Sequence, residues 1–197
     1  NDNLAIGHDA MTTNTAGGTK NLAIGNYALD AQTSGDQNVA VGYNALSTNT
    51  TAENNVAVGV DALLTCDGSN NTGIGTNALK LSTTGTQNVA VGHNALTANT
   101  TASQNTAVGQ ESLKANTTGT ANVAVGAEAL KANTTADNNT AVGMNSLLAN
   151  TTGASNTGLG SHALVANTTG GSNIAVGINA LAATTTGSNN VAVGASA

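Results

Sequence analysis

The sequence predicts an all-β chain: a parallel β-solenoid of about eleven stacked seventeen-residue coils, running through residues 1–197 as a single domain. Three observations carry this. The stretch NVAVGYNALSTNTTAEN at 38–54 is followed at once by NVAVGVDALLTC, and units of this form begin at Asn3, Asn21, Asn38, Asn55, Asn71, Asn88, Asn105, Asn122, Asn139, Asn156 and Asn173, with a truncated one at Asn190. The spacing is seventeen, except for one unit of eighteen at the start and one of sixteen from Asn55. Self-similarity at a fixed period marks a solenoid, whose coils bury their apolar faces on one another. Each opening also alternates with period two, which argues for a strand. Finally, the chain has no Phe, Trp or Pro and only two aromatics, Tyr27 and Tyr43, so its interior must be slim and filled by small aliphatic side chains.

Counting each unit from its Asn, position 1 is expected to stack on its copies ~4.8 Å apart and to pass amide hydrogen bonds along the rod. Position 4 is always aliphatic (Ile6, Ile24, Val41, Val58, Ile74, Val91, Val108, Val125, Val142, Leu159, Val176, Val193) and is expected to face inward. Position 2 shares its face but accepts Thr72, Thr106, Thr140 and Thr157, which places it nearer the edge of that core. Position 3 is Ala or Gly (Ala40, Ala57, Gly73, Ala90, Ala107). It forms the opposite wall, a flat strip expected to serve as a subunit interface because so thin a core is a poor sole source of stability.

Position 5 is Gly from Gly7 to Gly194, including Gly42, Gly59, Gly75, Gly92, Gly109, Gly126, Gly143, Gly160 and Gly177. Every copy therefore needs a backbone angle or a close approach that a Cβ forbids, as at a corner. Position 8 is Ala or Ser, and position 9 is Leu apart from Met11, a second core layer. The N-T-T-G segment that follows reads as a second short strand or arc closing the coil. A helix over ALKAN is too short to nucleate. One coil alone buries too little to offset the ordering of its residues, so stacking is obligatory. Eleven steps give a rod roughly 50 Å long.

The charged fraction is 7%, the net charge −6, and the four basic residues are all Lys, which provides no basic patch for nucleic acid. No apolar run approaches the ~20 residues of a membrane span, and no basic-plus-apolar leader is present, so membrane insertion is not expected. The chain begins within the pattern and stops inside a coil without a polar capping unit, and is read as a segment of a longer fibre or a unit that polymerises end to end.

No enzyme, cofactor or metal site is expected. His8, His93 and His162 lie at least four units apart, and no Ser–His–carboxylate set falls into register. TGIGTNA and TGLGSHA imitate a dinucleotide fingerprint, but their second Gly is the standard corner and no helix follows. Cys66, in the shortened unit, is read as a passive small residue. Glu111 and Glu128 at position 7, with Lys114 and Lys131 three residues on, read as a solvated charge patch.

Asn49, Asn99, Asn116, Asn133, Asn150 and Asn167 each open an N-x-T sequon, and are expected to stack rather than to carry glycans. Thr51, Thr101, Thr118, Thr135, Thr152 and Thr169 stand two residues on, and in an extended arc both ranks share one face. This stacked Asn/Thr face is the candidate binding face, suited to glycans or to ordered water and ice. Position 6 varies freely and is expected to point outward.

The N-V-A-V-G-x-x-A-L opening resembles the head repeats of trimeric autotransporter adhesins. It resembles more closely the N-T-A-V-G-x-x-A-L-x-x-N-T-T-G repeats of bacteriophage and bacterial tail-fibre-like proteins, as in Asn105 to Gly119 and Asn139 to Gly153. The resemblance implies a left-handed parallel β-roll, a homotrimer of three rolls side by side, a cell-surface glycan or protein receptor, and an extracellular, cell-surface or virion location. The adhesin unit is shorter and has no counterpart to the N-T-T-G arc. The expected function is that of a structural and adhesive fibre segment making repeated weak polar contacts, with ice or glycan binding through the Asn/Thr face as the alternative.

Overall fold

The structure, a computed structural model, describes residues 2–197. Twelve three-residue strands, from β1 (Leu4–Ile6) to β12 (Val191–Val193), form one sheet in sequence order, and each neighbouring pair is parallel. Register is strict: Val39, Ala40 and Val41 pair with Val56, Ala57 and Val58. Among the described residues there is no helix and no strand outside the unit openings. The N-T-T-G arc is a series of bends and not a second strand.

Both irregular units keep the register, with Leu4 opposite Leu22 and Val56 opposite Thr72. The short unit loses its residue from the arc, where Asp67 replaces the Thr-Thr pair. The Thr50 amide and hydroxyl and the Thr51 amide donate to its carboxylate at 3.1, 3.0 and 3.1 Å.

The sidedness of the strand is the reverse of the sequence expectation. Position 3 faces inward: Ala40, Ala57, Ala90, Ala107, Ala124 and Ala141 are fully buried. Positions 2 and 4 face outward, with Val58 36%, Ile74 39% and Val142 38% exposed. The reason is width. Leu29 to Leu164 at position 9 are fully buried and fill the centre, as expected. What remains admits at most a methyl group: a Cβ placed on Gly73 comes within 3.1 Å of Leu63 Cγ. A Val at that position has no space, so the larger aliphatics take the outer face.

Position 5 makes the corner as expected, with φ between +128° and +141° in all twelve units. A Cβ on Gly42 lies 2.4 Å from the carbonyl oxygen of Gly59 in the next coil. The turn then tightens through further left-handed residues at positions 7 and 9, such as Asn44 (φ +55°) and Leu46 (φ +50°). Asn and Asp tolerate this region and Leu does so at a cost. Each such Leu is held by the next coil, as when the Leu46 amide donates to the Ala62 carbonyl at 3.1 Å.

Two polar ladders run inside the rod. The Asn38 carboxamide accepts the Asn55 amide at 3.0 Å and donates to the Ala52 carbonyl at 2.9 Å, joining a coil to its successor and its own start to its end. The second ladder uses position 12: Asn133 donates to Asn116 Oδ1 at 2.9 Å and to the Ala136 carbonyl at 3.0 Å. Burying amides is tolerable because most of their polar atoms are paired in this way; Asn55 Nδ2 and Asn139 Nδ2 in the first ladder and Asn167 Oδ1 in the second are left without a partner.

Candidate functional site

The sheet's outer face carries two columns along twelve strands: position 4, aliphatic throughout, and position 2, aliphatic except for Thr72, Thr106, Thr140 and Thr157. Position 6 adds Tyr43, Val60, Met144 and Ile178, all exposed. No Asp, Glu or Lys occupies position 2, 4 or 6 in any unit. A largely aliphatic strip of this length, roughly 50 Å, is larger than the scattered patches of a monomer's surface and marks an interaction face. The sequence reading placed the interface on the Ala strip of position 3, which is core. The charge-free columns were present in the sequence, but the assumption that Val lies inside concealed them.

Charged groups sit beyond the corner. Glu111 is bracketed by Lys114 at 2.9 Å and Lys131 at 2.8 Å, and Lys131 also reaches Glu128 at 3.3 Å. Hydrogen bonds from Lys131 and then Lys114 pull the Glu111 carboxyl down to about 2, and the same contact with Glu111 raises Lys131. The like-charge stack of Glu111 and Glu128 is thus offset by its lysines.

The Asn/Thr face divides in two. Asn49, Asn99, Asn116, Asn133, Asn150 and Asn167 are fully buried in the inner ladder, whereas Thr51, Thr101, Thr118, Thr135, Thr152 and Thr169 are exposed. The arc bends between them, so the alternation of an extended strand does not apply. The sequon nitrogens are enclosed in the folded chain. Only the Thr half of the expected binding face reaches solvent.

Cys66 occupies position 12, where other coils carry the ladder Asn. Its Sγ lies 3.2 Å from the Gly68 carbonyl, and burial pushes the thiol up to about 11. Such a thiol is inert in the folded chain. His162 contacts Ser161 Oγ through Nδ1 at 2.8 Å and Asn145 through Nε2 at 3.1 Å, and His8 lies 3.1 Å from Asp9. Gly75 and Gly160, the second glycines of TGIG and TGLG, are corners, and Gly73 and Gly158 are core positions.

No protein-family model matches the chain, and the searches of curated proteins and of solved structures return no match either. No helix among the described residues is long and apolar enough to cross a membrane. The sheet face and the Thr arc are outward surfaces that repeat from coil to coil, beside the charged patch beyond the corner.

Proposed function

We propose that the chain is a segment of an extracellular structural or adhesive fibre, in which rods pack side by side as a homotrimer through the aliphatic sheet face. The observation that supports this reading is the absence of Asp, Glu and Lys from positions 2, 4 and 6 in every unit, on a face whose positions 2 and 4 hold only Val, Ile, Leu and Thr. Parallel rods related by an axis along their length bring equivalent coils together at every level, so the columns of one rod meet those of the next without a register penalty. The resemblance to adhesin heads and tail-fibre repeats supports three copies and a left-handed roll. Buried in this way, the face contributes the apolar area that the slim interior lacks.

The function is geometric. A stiff shaft holds an attachment point away from its anchor, and its remaining polar faces offer many weak contacts to a cell-surface glycan or protein receptor, with avidity growing along the rod. Sedimentation equilibrium tests the association: the expected mass is three times that of the 19.0 kDa chain. Lys at Val91 and Val125 is expected to yield single folded chains. A single-chain mass with the face intact contradicts the proposal.

A further inference from the structure

We infer that the arc at unit positions 13 and 14 is an ice-binding face, a two-column threonine lattice that orders water and adsorbs to the surface of ice crystals. Seven consecutive coils carry the pair, from Thr83 and Thr84 to Thr185 and Thr186, at an unbroken spacing of seventeen residues. At ~4.8 Å per coil, the lattice extends roughly 30 Å.

The two columns differ in a way that suits a water lattice. The Thr117 amide, the Thr118 amide and the Thr117 hydroxyl all converge on the Thr134 carbonyl of the next coil, at 2.9, 3.3 and 3.0 Å. The same three donors reach Thr168 from Thr151 and Thr152, at 2.9, 3.3 and 3.0 Å. The position-13 hydroxyl proton is therefore committed, and its oxygen offers only lone pairs outward. Position 14 joins this ladder only through its backbone amide; its side chain is exposed, so its hydroxyl is free to donate or accept. Each coil repeats one fixed acceptor, one amphoteric hydroxyl and two methyl groups.

Rigidity is built in, because the backbone under the pair is clamped to the next coil and a β-branched side chain has few rotamers to lose. The ~4.8 Å coil repeat is also close to a lattice repeat of ice, the distance at which equivalent oxygens recur, so water anchored on one coil is nearly in step with water on the next. Charge, which holds water in its own ordered shell, is nearly absent: between Thr83 and Asn189, positions 13 to 17 carry only Asp137. At this arc carbohydrate is the less suitable ligand. The arc has no aromatic face for a sugar ring to stack on, since Tyr27 and Tyr43 lie at positions 7 and 6. The inference is independent of how rods associate, since the aliphatic strip lies on another side of the coil.

Thermal hysteresis, crystal shaping and retention of fluorescently labelled chain on growing ice test the assignment. The chain is expected to lower the freezing point below the melting point, to facet crystals and to stay on the ice. The double variant Thr118→Lys, Thr135→Lys is expected to lose all three while its circular dichroism is unchanged. Val91→Lys, on the other face, is expected to keep them even if it dissolves the assembly. Absence of hysteresis in the unsubstituted chain, or full activity in the Thr variant, overturns the inference. Capture on a glycan array that the Thr variant abolishes, without hysteresis, overturns it in favour of carbohydrate.

Discussion

The Asp67 carboxylate receives the Thr50 amide at 3.1 Å and the Thr50 hydroxyl at 3.0 Å, and so takes the place of a backbone carbonyl that the sixteen-residue coil lacks. In a full coil the equivalent donors of Thr117 go to the Thr134 carbonyl. Burial works against the charged carboxyl, but hydrogen bonds from the Thr51 and Thr50 amides and the Thr50 hydroxyl outweigh it and hold the group below its ordinary 3.8. Asp67→Ala is expected to lower stability to urea by about 0.5–1 kcal/mol, since three donors lose their acceptor at an exposed site where water takes its place in part. A carboxyl depressed on folding stabilises fully above its unfolded value and ceases to do so as pH falls through the depressed one. Asp67→Ala is therefore expected to flatten the loss of stability below about pH 4, measured as urea midpoints from neutral pH downward. A parallel acid limb in variant and parent contradicts the role.

Ser82 is a fault in the second ladder that substitution is expected to repair. Its hydroxyl is buried with no nitrogen or oxygen partner and only the Cys66 thiol beside it, in a full-length coil whose Gly85 carbonyl is the counterpart of the Ala102 carbonyl that Asn99 reaches at 3.1 Å. Ser82→Asn is expected to donate to Gly85 and to raise stability by about 1 kcal/mol. Denaturant titration checks this, and a fall in midpoint contradicts it.

Gly92 has φ +138°, and a Cβ on it lies 2.6 Å from the Gly109 carbonyl oxygen. Both the strained angle and the backbone overlap count against any side chain. Gly92→Ala is expected to cost at least about 3 kcal/mol. In a rod where each coil touches only its neighbours, the damage is expected to separate two blocks, seen as a second thermal transition.

Cys66 offers a built-in reporter of opening. Its buried, raised thiol is expected to stay unlabelled by a thiol reagent in the native chain at pH 8. It is expected to react in denaturant with the same midpoint as the loss of circular dichroism. Rapid labelling of the native chain contradicts the burial.

The period, the register of the strands, the glycine corners and the Leu layer were all legible, because each is a repeated identity that needs no knowledge of direction. Direction was not legible. Alternation at Ala90 and Val91 says that the two point oppositely but not which is inside, and the usual preference for burying the larger aliphatic chose wrongly. The decisive quantity is the width left beside Leu63, which the clash at Gly73 reveals and the sequence hides. The same holds for Asn116 and Thr118: two residues apart means one face in a strand and opposite sides around a bend. The left-handed φ of Leu46 had no signal at all, since Leu is a poor choice for that region and only the stacked neighbour holds it there.

The most direct measurement compares two adjacent substitutions, Ala107→Val and Val108→Thr, by urea denaturation of the dilute single chain. Ala107 is fully buried and Val108 lies on the outer face. The expected result is a loss of about 1–3 kcal/mol for Ala107→Val, from overpacking, and a change within about 0.5 kcal/mol for Val108→Thr. The reverse ranking, with Val108→Thr costly and Ala107→Val harmless, contradicts the sidedness on which the outer aliphatic face and everything proposed for it depend.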